Sequence, residues 1–215
     1  MTAPTRGPRG PYAKTAERRA HIAEAAYEVV MEVGHPALTT AAVAERAGIS
    51  ERTMLYHFPS RDHLLVAAIE HFEQVMTEGR VHLPWTPGTF DRIITDLAHR
   101  AQADDRRLQL QVALAAAAQD PNHPAHEYFS RHYDEALAEM GKLIAAMQQA
   151  GEAHPDRDPR QMARMFIAVW DGLQQQWLIR HDFDLAAEIL TAFREISGQA
   201  AMEARQAVED LLARI

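Results

Sequence analysis

The feature that most constrains the fold is the segment 38–65, which reads LTTAAVAERAGISERTMLYHFPSRDHLL. It contains two short helical patterns on either side of Gly48. Thr39 or Thr40 can cap the first helix and Ser50 the second, because their hydroxyls accept from free backbone N–H groups. Glycine takes the positive φ that a sharp turn requires. The segment therefore predicts two short helices that cross at a tight turn.

The second of these helices has an apolar side and a polar side. Met54 and Phe58 are four residues apart on one face, and Ile49 joins them in the core between the helices. The residues left to face outward are Glu51, Arg52, Thr53, Tyr56 and His57. A short polar helix supported from behind by a small core fits the major groove of duplex DNA.

This part of the chain resembles the TetR (tetracycline-repressor-type) family over positions 15–75. The matching residues are Ala44, Ala47, Gly48, Ile49, Ser50, Thr53, Met54, Tyr56, His57, Phe58, Arg61, Leu64 and Leu65. One position departs, since Leu55 stands where the family usually has a tyrosine and Tyr56 takes the next place. The resemblance implies an all-α fold of about nine helices. An N-terminal three-helix helix-turn-helix DNA-binding domain would join a larger helical effector and dimerisation domain.

The same resemblance assigns contacts with the DNA backbone. Thr40 and Arg61 lie at predicted helix starts, where N-termini attract anions, and are expected to hold phosphates. Lys14, ahead of the first helix, is expected to do the same. Tyr56 and His57 are expected to donate to the backbone as well. The alternative for these two residues is local packing between helices.

Contacts with base edges are expected from the outer surface of the second short helix. Arg52 suits guanine, Thr53 accompanies it, and Leu55 can contact a thymine methyl group. The alternative for Arg52 is a solvated surface charge. The full set predicted to bind DNA is Lys14, Thr40, Ser50, Glu51, Arg52, Thr53, Leu55, Tyr56, His57 and Arg61.

The charge of the chain is distributed unevenly. The formal net charge is −8, yet residues 1–19 carry five basic side chains against one acidic side chain. A basic start on an acidic body fits a protein that touches phosphate at one end only. Residues 1–13 are rich in Pro, Gly and Arg and predict a disordered basic arm. The arm either binds DNA or is a plain solvated tail.

Helical patterns account for the rest of the chain. The first helix is predicted at 15–33, and a fourth, long helix follows Ser60. The later helical blocks are 89–103, 105–119, 124–150, 158–181 and 185–213, the last with a possible interruption near Ser197-Gly198. A connection rich in Pro and Gly at 79–88 separates the DNA-binding domain, 14–78, from the effector-binding and dimerisation domain, 79–215.

The middle helices are expected to enclose an apolar cavity for an effector. The candidate lining residues are Leu110, Leu114, Phe129, Tyr133, Met140, Met165, Phe166 and Trp170. The alternative for each of them is ordinary core. Asp171 lies inside an apolar helix and either orients a ligand or pairs with an arginine such as Arg164 or Arg100.

Dimerisation is expected through the last two long helices, which by resemblance form an antiparallel pair that meets its copy in a four-helix bundle. The candidate interface residues are Val169, Leu173, Trp177, Ile189 and Phe193. Gly172 in mid-helix costs about 1 kcal/mol relative to alanine, which a close helix crossing could justify. The alternative is that both apolar stripes serve only the core of one monomer.

Several classes of function are disfavoured by what the sequence lacks. The chain has no cysteine, which removes disulfides and thiolate sites and fits a cytoplasmic location. It has no apolar run near the roughly 20 residues of a membrane span. Prolines interrupt the histidines near Asp120, so we expect no metal and no cofactor. Neither a phosphate-binding loop nor a G-x-S-x-G motif is present, so we expect no enzyme.

The sequence therefore predicts a homodimeric transcriptional repressor. Without effector it would bind a palindromic operator in double-stranded DNA, and a small apolar effector would release it. Two alternatives remain open from the residues: an all-α enzyme, and an architectural DNA-binding protein without an effector.

Overall fold

A computed structural model describes residues 11–78 and 86–214, and every regular element in these residues is helical. Its ten α-helices are α1 (Pro11–Val33), α2 (Thr40–Arg46), α3 (Glu51–His57), α4 (Arg61–Glu78), α5 (Phe90–Gln102), α6 (Asp105–Ala117), α7 (Ala125–Gln149), α8 (Pro159–Arg180), α9 (Leu185–Ser197) and α10 (Gln199–Leu212). A 3-10 turn at His35–Ala37 connects α1 with α2. The all-α fold predicted from the sequence is confirmed.

One predicted boundary differs from that of the structure, and the possible interruption near Ser197-Gly198 is confirmed. α1 begins at Pro11 rather than near residue 15, so the end of the predicted arm is helical. A proline is tolerated there because the first helical N–H groups have no partner within the helix. The last predicted block is divided at Gly198, where φ is 72°, into α9 and α10. Residues 1–10 of the arm and residues 79–85 of the connection lie outside the described residues.

The tight turn between α2 and α3 forms as the sequence predicts. Gly48 has φ 63°. Thr39 caps α2, accepting from the N–H of Ala42 at 3.1 Å. Ser50 caps α3, accepting from the N–H of Thr53 at 3.2 Å. Local caps and one glycine therefore fix where both helices begin.

The first hydrophobic core joins α1–α4 to the rest of the molecule. α1 packs along α4, α3 packs against α2, and Met54 of α3 is fully buried in the core that these helices share. Leu110 and Leu114 of α6 belong to the same core, together with Phe129 of α7. The N-terminal helices therefore rest directly on α6 and α7, and α4 extends alongside both.

The second core lies among α5, α7, α8 and α9. At its centre the rings of Phe90 and Phe193 stack with centroids 4.0 Å apart, and Phe166 meets Phe193 edge-on at 5.0 Å. Aromatic pairs of this geometry add to the stabilisation from buried apolar area.

This packing corrects part of the predicted dimer interface. Ile189 and Phe193 are fully buried inside one monomer, because α9 turns this face toward α5 and α8. Trp177 is 9% exposed and belongs to the same core. These three side chains do not face outward, whereas Val169 and Leu173 are partly exposed and stay predictions.

Replacing Met54 by alanine should lower the free energy of unfolding by about 2–5 kcal/mol, since it leaves a cavity under α3. The neighbouring Leu55 is 39% exposed, so Leu55→Ala should cost less than about 1 kcal/mol. Urea unfolding followed by circular dichroism measures both values. Equal decreases in the free energy of unfolding for the two variants would show that α3 does not pack on the core through Met54.

Candidate nucleic-acid interface and ligand cavity

The outer surface of α3 is open to solvent. Arg52 and Thr53 are exposed, and Tyr56 is 82% exposed. Leu55 is exposed beside them. Because Met54 and Phe58 hold the opposite side in the core, these four side chains project from a helix whose orientation is fixed. The structure thus brings together the residues predicted to reach base edges.

Other predicted DNA contacts are engaged within the helix-turn-helix. The hydroxyl of Thr40 donates to the carboxylate of Glu51, which joins the first turns of α2 and α3. The hydroxyls of Ser50 and Thr53 share a hydrogen bond of 2.8 Å. These contacts order the N-terminus of α3, and a role of these residues toward DNA stays a prediction.

Arg61 holds the segment that precedes α2. Its Nε donates to the carbonyl of Leu38 at 3.1 Å, and a terminal nitrogen donates to the carbonyl of His35. The carboxylate of Asp62 lies 3.5 Å from the guanidinium. The side chain thus links the start of α4 to the start of α2, and its predicted phosphate contact stays a prediction.

The basic end of α1 lies beside α3. The guanidinium of Arg19 lies over the ring of Phe58 at 4.2 Å and donates to the carbonyl of His57. Partial burial, then repulsion from Arg19 and Arg18, lowers the pKa of His57, so its ring is neutral near pH 7. Arg18 is exposed next to this surface, as is Lys14 one turn earlier. We add Arg18 to the candidates, since the basic run of α1 signalled it.

A cavity of about 540 Å³ is lined by residues of α4, α5, α6, α7 and α8. Its apolar lining residues are Phe72, Ile94, Leu97, Ala101, Ala136, Met140, Leu143, Phe166, Ile167 and Trp170. Its polar lining residues are Glu73, Arg100, Arg107, Gln111, His132, Tyr133, Glu139, Asp171 and Gln174. The volume suits a small organic ligand, but a lining with this many charges differs from the apolar cavity that we expected.

Half of the predicted lining residues reach this cavity. Tyr133, Met140, Phe166 and Trp170 are part of its wall. Three of the other four predicted residues are corrected: Leu110 and Leu114 are buried in the first core, and Met165 is 50% exposed on the outside of α8. Phe129 packs in the first core and lines a second cavity of about 240 Å³, which shares Tyr133 and Asp171 with the first.

Two ionic groups in the cavity have protein partners. His132 meets the carboxylate of Glu73 at 3.2 Å, and this hydrogen bond raises the pKa of His132. Arg107 is 7% exposed and lies 4.7 Å above the ring of Phe72. Burial lowers the pKa of Arg107, and it donates to the carbonyl of Ala101 at 3.2 Å and to Gln111 at 3.1 Å.

Asp171 has a different partner from the one expected. Its carboxylate accepts from the hydroxyl of Tyr133 at 2.8 Å. No arginine or lysine among residues 11–78 and 86–214 forms an ion pair with it, which corrects the expected pairing with Arg164 or Arg100. Burial raises the pKa of Asp171, because the charged form loses water, and this outweighs the opposing effects of the Tyr133 hydrogen bond and of nearby His132.

The histidines near Asp120 are used within the fold. His123 lies 3.6 Å from the carboxylate of Asp62, and His126 bonds to the carbonyl of Ala118 at 2.8 Å. In the part of the chain that the structure describes, no group of three potential ligands is arranged to hold a metal ion. The helices described there include none with the length and apolarity needed to cross a membrane.

An exposed recognition helix on a body with a ligand-sized cavity defines a helix-turn-helix regulator. Comparison with known proteins identifies the family. Residues 22–68 match the model of bacterial regulatory proteins of the tetR family, and residues 89–201 match the C-terminal model of BetI-type transcriptional repressors. The chain belongs to the TetR family of DNA-binding transcriptional regulators.

Three similar proteins illustrate the relationship. The transcriptional repressor KstR of Mycobacterium tuberculosis is 30% identical over 176 residues, which cover 76% of this chain and 72% of KstR. A regulator from Saccharomonospora viridis in complex with choline has a TM-score of 0.66 at 19% identity, covering 84% of this chain and 95% of that one. FadR of Thermus thermophilus, in complex with lauroyl-CoA, has a TM-score of 0.57 at 18% identity, covering 83% and 92%. The two structures show the fold.

Replacing Asp171 by asparagine should raise the free energy of unfolding at neutral pH, because folding then desolvates no charge there. The raised pKa means that the folded carboxyl retains its proton better than the unfolded one. The contribution of Asp171 to stability therefore falls as pH rises from the pKa of the unfolded chain, 3.8, through the higher pKa of the folded protein. The gain in the variant should be largest at neutral pH and vanish below the ordinary carboxyl pKa of 3.8.

Thermal denaturation at a series of pH values measures this difference. Glu139 lies on the rim with a side chain that is 74% exposed, so Glu139→Gln should show no such pH-dependent gain. An Asp171→Asn variant that is less stable than the natural chain at neutral pH would contradict the assigned cost of burial.

Proposed function

We propose that this regulator is a homodimeric repressor that binds a palindromic operator and is released by an effector in the cavity. The observation that carries the proposal is the outer surface of α3, where Arg52, Thr53 and Tyr56 are exposed on a helix fixed by the buried Met54. The name of KstR supports repression, and the choline and lauroyl-CoA complexes support a ligand within this fold. The alternatives of an enzyme and an architectural protein have no comparable observation in their favour.

The proposal assigns DNA binding and effector binding to two different parts of the chain. Residues 14–78 bind DNA, and residues 79–215 bind the effector and the second copy, in a protein that acts in the cytoplasm. α4 connects the two tasks, because Phe72 and Glu73 line the cavity while Arg61 holds the start of α2. An effector that fits the cavity better in one position of α4 shifts the population toward that position, and with it the spacing of the two α3 helices.

The proposed dimer surface is the exposed stripe of α8. Ala168, Gly172, Gln175 and Ile179 recur at the spacing of one helix face and are exposed or partly exposed. No neighbouring atom lies within 4 Å of a Cβ built on Gly172, so a second helix can approach closely there. This stripe replaces the buried Ile189 and Phe193 of the sequence prediction.

Arg52→Ala should cost about 1–3 kcal/mol per half-site on duplex DNA from upstream of the gene, and should relax the preference at one base pair. Arg18→Ala should instead weaken binding to upstream and shuffled duplexes alike, and should reduce the salt slope by about 1 per half-site. Fluorescence anisotropy over a range of salt concentrations measures both effects.

Arg92→Ala, which removes an exposed arginine of α5, is the matched control and should leave both affinities unchanged. If the natural chain bound upstream and shuffled duplexes equally at raised salt, sequence-specific repression would be ruled out.

Ile179→Lys should weaken the dimer by about tenfold to a hundredfold, because this side chain is 74% exposed in the monomer and its burial would contribute about 1.5–3 kcal/mol. Sedimentation equilibrium measures the change. Val33→Lys, at a 48% exposed site at the end of α1, is the control and should leave the dimer intact. An unchanged dimer in Ile179→Lys would move the interface away from this stripe.

A further inference from the structure

The charges in the cavity are compensated unequally. Glu73 and His132 form one pair. Arg107 faces the negative charges of Asp104 and Glu73 and is held by Phe72. Asp171 is a further, partly buried carboxylate of the cavity wall, and no lysine or arginine among residues 11–78 and 86–214 forms an ion pair with it.

Within the described part of the chain, the contacts of Asp171 include no basic side chain in an ion pair. Its hydrogen bond comes from the neutral hydroxyl of Tyr133 at 2.8 Å. The other group that acts on its charge is the imidazole of His132, whose Nδ1 lies 3.2 Å from the carboxylate of Glu73. A desolvated carboxylate with one neutral donor is destabilised, and a cation brought in from outside would remove that cost.

Gln174 lies one turn further along α8 and offers a second unused polar group. Its side chain is 3% exposed and lines the cavity. It makes no hydrogen bond within the described ranges, although buried amides are normally bonded. Gln174 and Asp171 lie in the same wall of the cavity, so the amide can hydrogen-bond the polar part of a ligand that the carboxylate holds.

Aromatic and apolar side chains line the cavity beside Asp171. Trp170 precedes Asp171 in α8 and meets Phe166 at a centroid distance of 5.9 Å, and both rings line the cavity with Met140. Ring faces attract cations, and tryptophan does so most strongly. The apolar end is large enough for the hydrocarbon part of a ligand.

We propose that the effector is an amphipathic organic cation, with its ammonium nitrogen at Asp171 and its apolar body against Trp170, Phe166 and Met140. The inference rests on the proposed function and replaces the purely apolar effector expected from the sequence. Arg107 is the buried cation of the cavity and the carboxylates of Asp104 and Glu73 act on it, so preferred binding of an acidic ligand is the competing outcome of the test below. The fold does not decide the charge, since its relatives hold choline in one case and lauroyl-CoA in another.

A matched series of probes tests the charge preference: octyltrimethylammonium, octanol and octanoate, which share one chain length. Isothermal titration calorimetry of the natural dimer should give an affinity for octyltrimethylammonium about tenfold to a hundredfold above that for octanol. Octanoate should bind more weakly than octanol. Asp171→Asn should bind octyltrimethylammonium and octanol with similar affinity.

Two controls keep the result specific. Asp134→Asn removes an exposed carboxylate of α7 that is not part of the cavity lining, and should keep the full cation preference. Because Asp171→Asn is expected to be the more stable protein at neutral pH, loss of cation binding in it would not reflect unfolding.

Three outcomes would overturn the inference: tighter binding of octanoate, an unchanged preference in Asp171→Asn, or no binding of any probe. Binding of the same preparations to the upstream duplex separates this failure from failure of the proposed function. If DNA binding is retained, only the effector class is wrong. If specific DNA binding is absent as well, the repressor proposal fails with it.

Discussion

Burial of Met54 and Phe58 beneath α3 fixes which side of that helix faces outward. The turn at Gly48 and the cap at Ser50 set where the helix begins, but only the core sets its rotation. Arg19 also holds α3 in this orientation, because its guanidinium covers the ring of Phe58 and donates to the last carbonyl of α3. Tyr56 and the other exposed residues of α3 therefore project from a helix with a fixed orientation, as recognition of a DNA groove requires.

α4 connects the helix-turn-helix with the cavity. Its first residue, Arg61, bonds to the carbonyls that precede α2, and its later residues Phe72 and Glu73 line the cavity. Glu70 and Glu73 pair with Arg131 and His132 of α7. A ligand that changes these contacts acts on the same helix that positions the DNA-binding surface, so both sites bias one element.

The sequence predicted the helix-turn-helix well because its signals are local: a glycine turn, hydroxyl caps and apolar residues four apart. It predicted most helix bounds for the same reason, although α1 begins at Pro11 rather than near residue 15. The faces of the later helices were harder, since an apolar stripe does not tell whether it meets its own core or a second copy. Phe193 was thus assigned to the interface and Leu110 to the cavity. The pairing of Asp171 with Tyr133 joins two helices, and no local pattern encodes it.

The central claim is that α3 enters the major groove of specific DNA, and photo-crosslinking tests it directly. Because the chain has no cysteine, Tyr56→Cys can carry a single benzophenone, and Arg92→Cys can carry the control. The account predicts crosslinks from position 56 at two places on the upstream duplex, separated by one helical turn or a multiple of it. Equal crosslinking from position 92, or none from position 56, would contradict it.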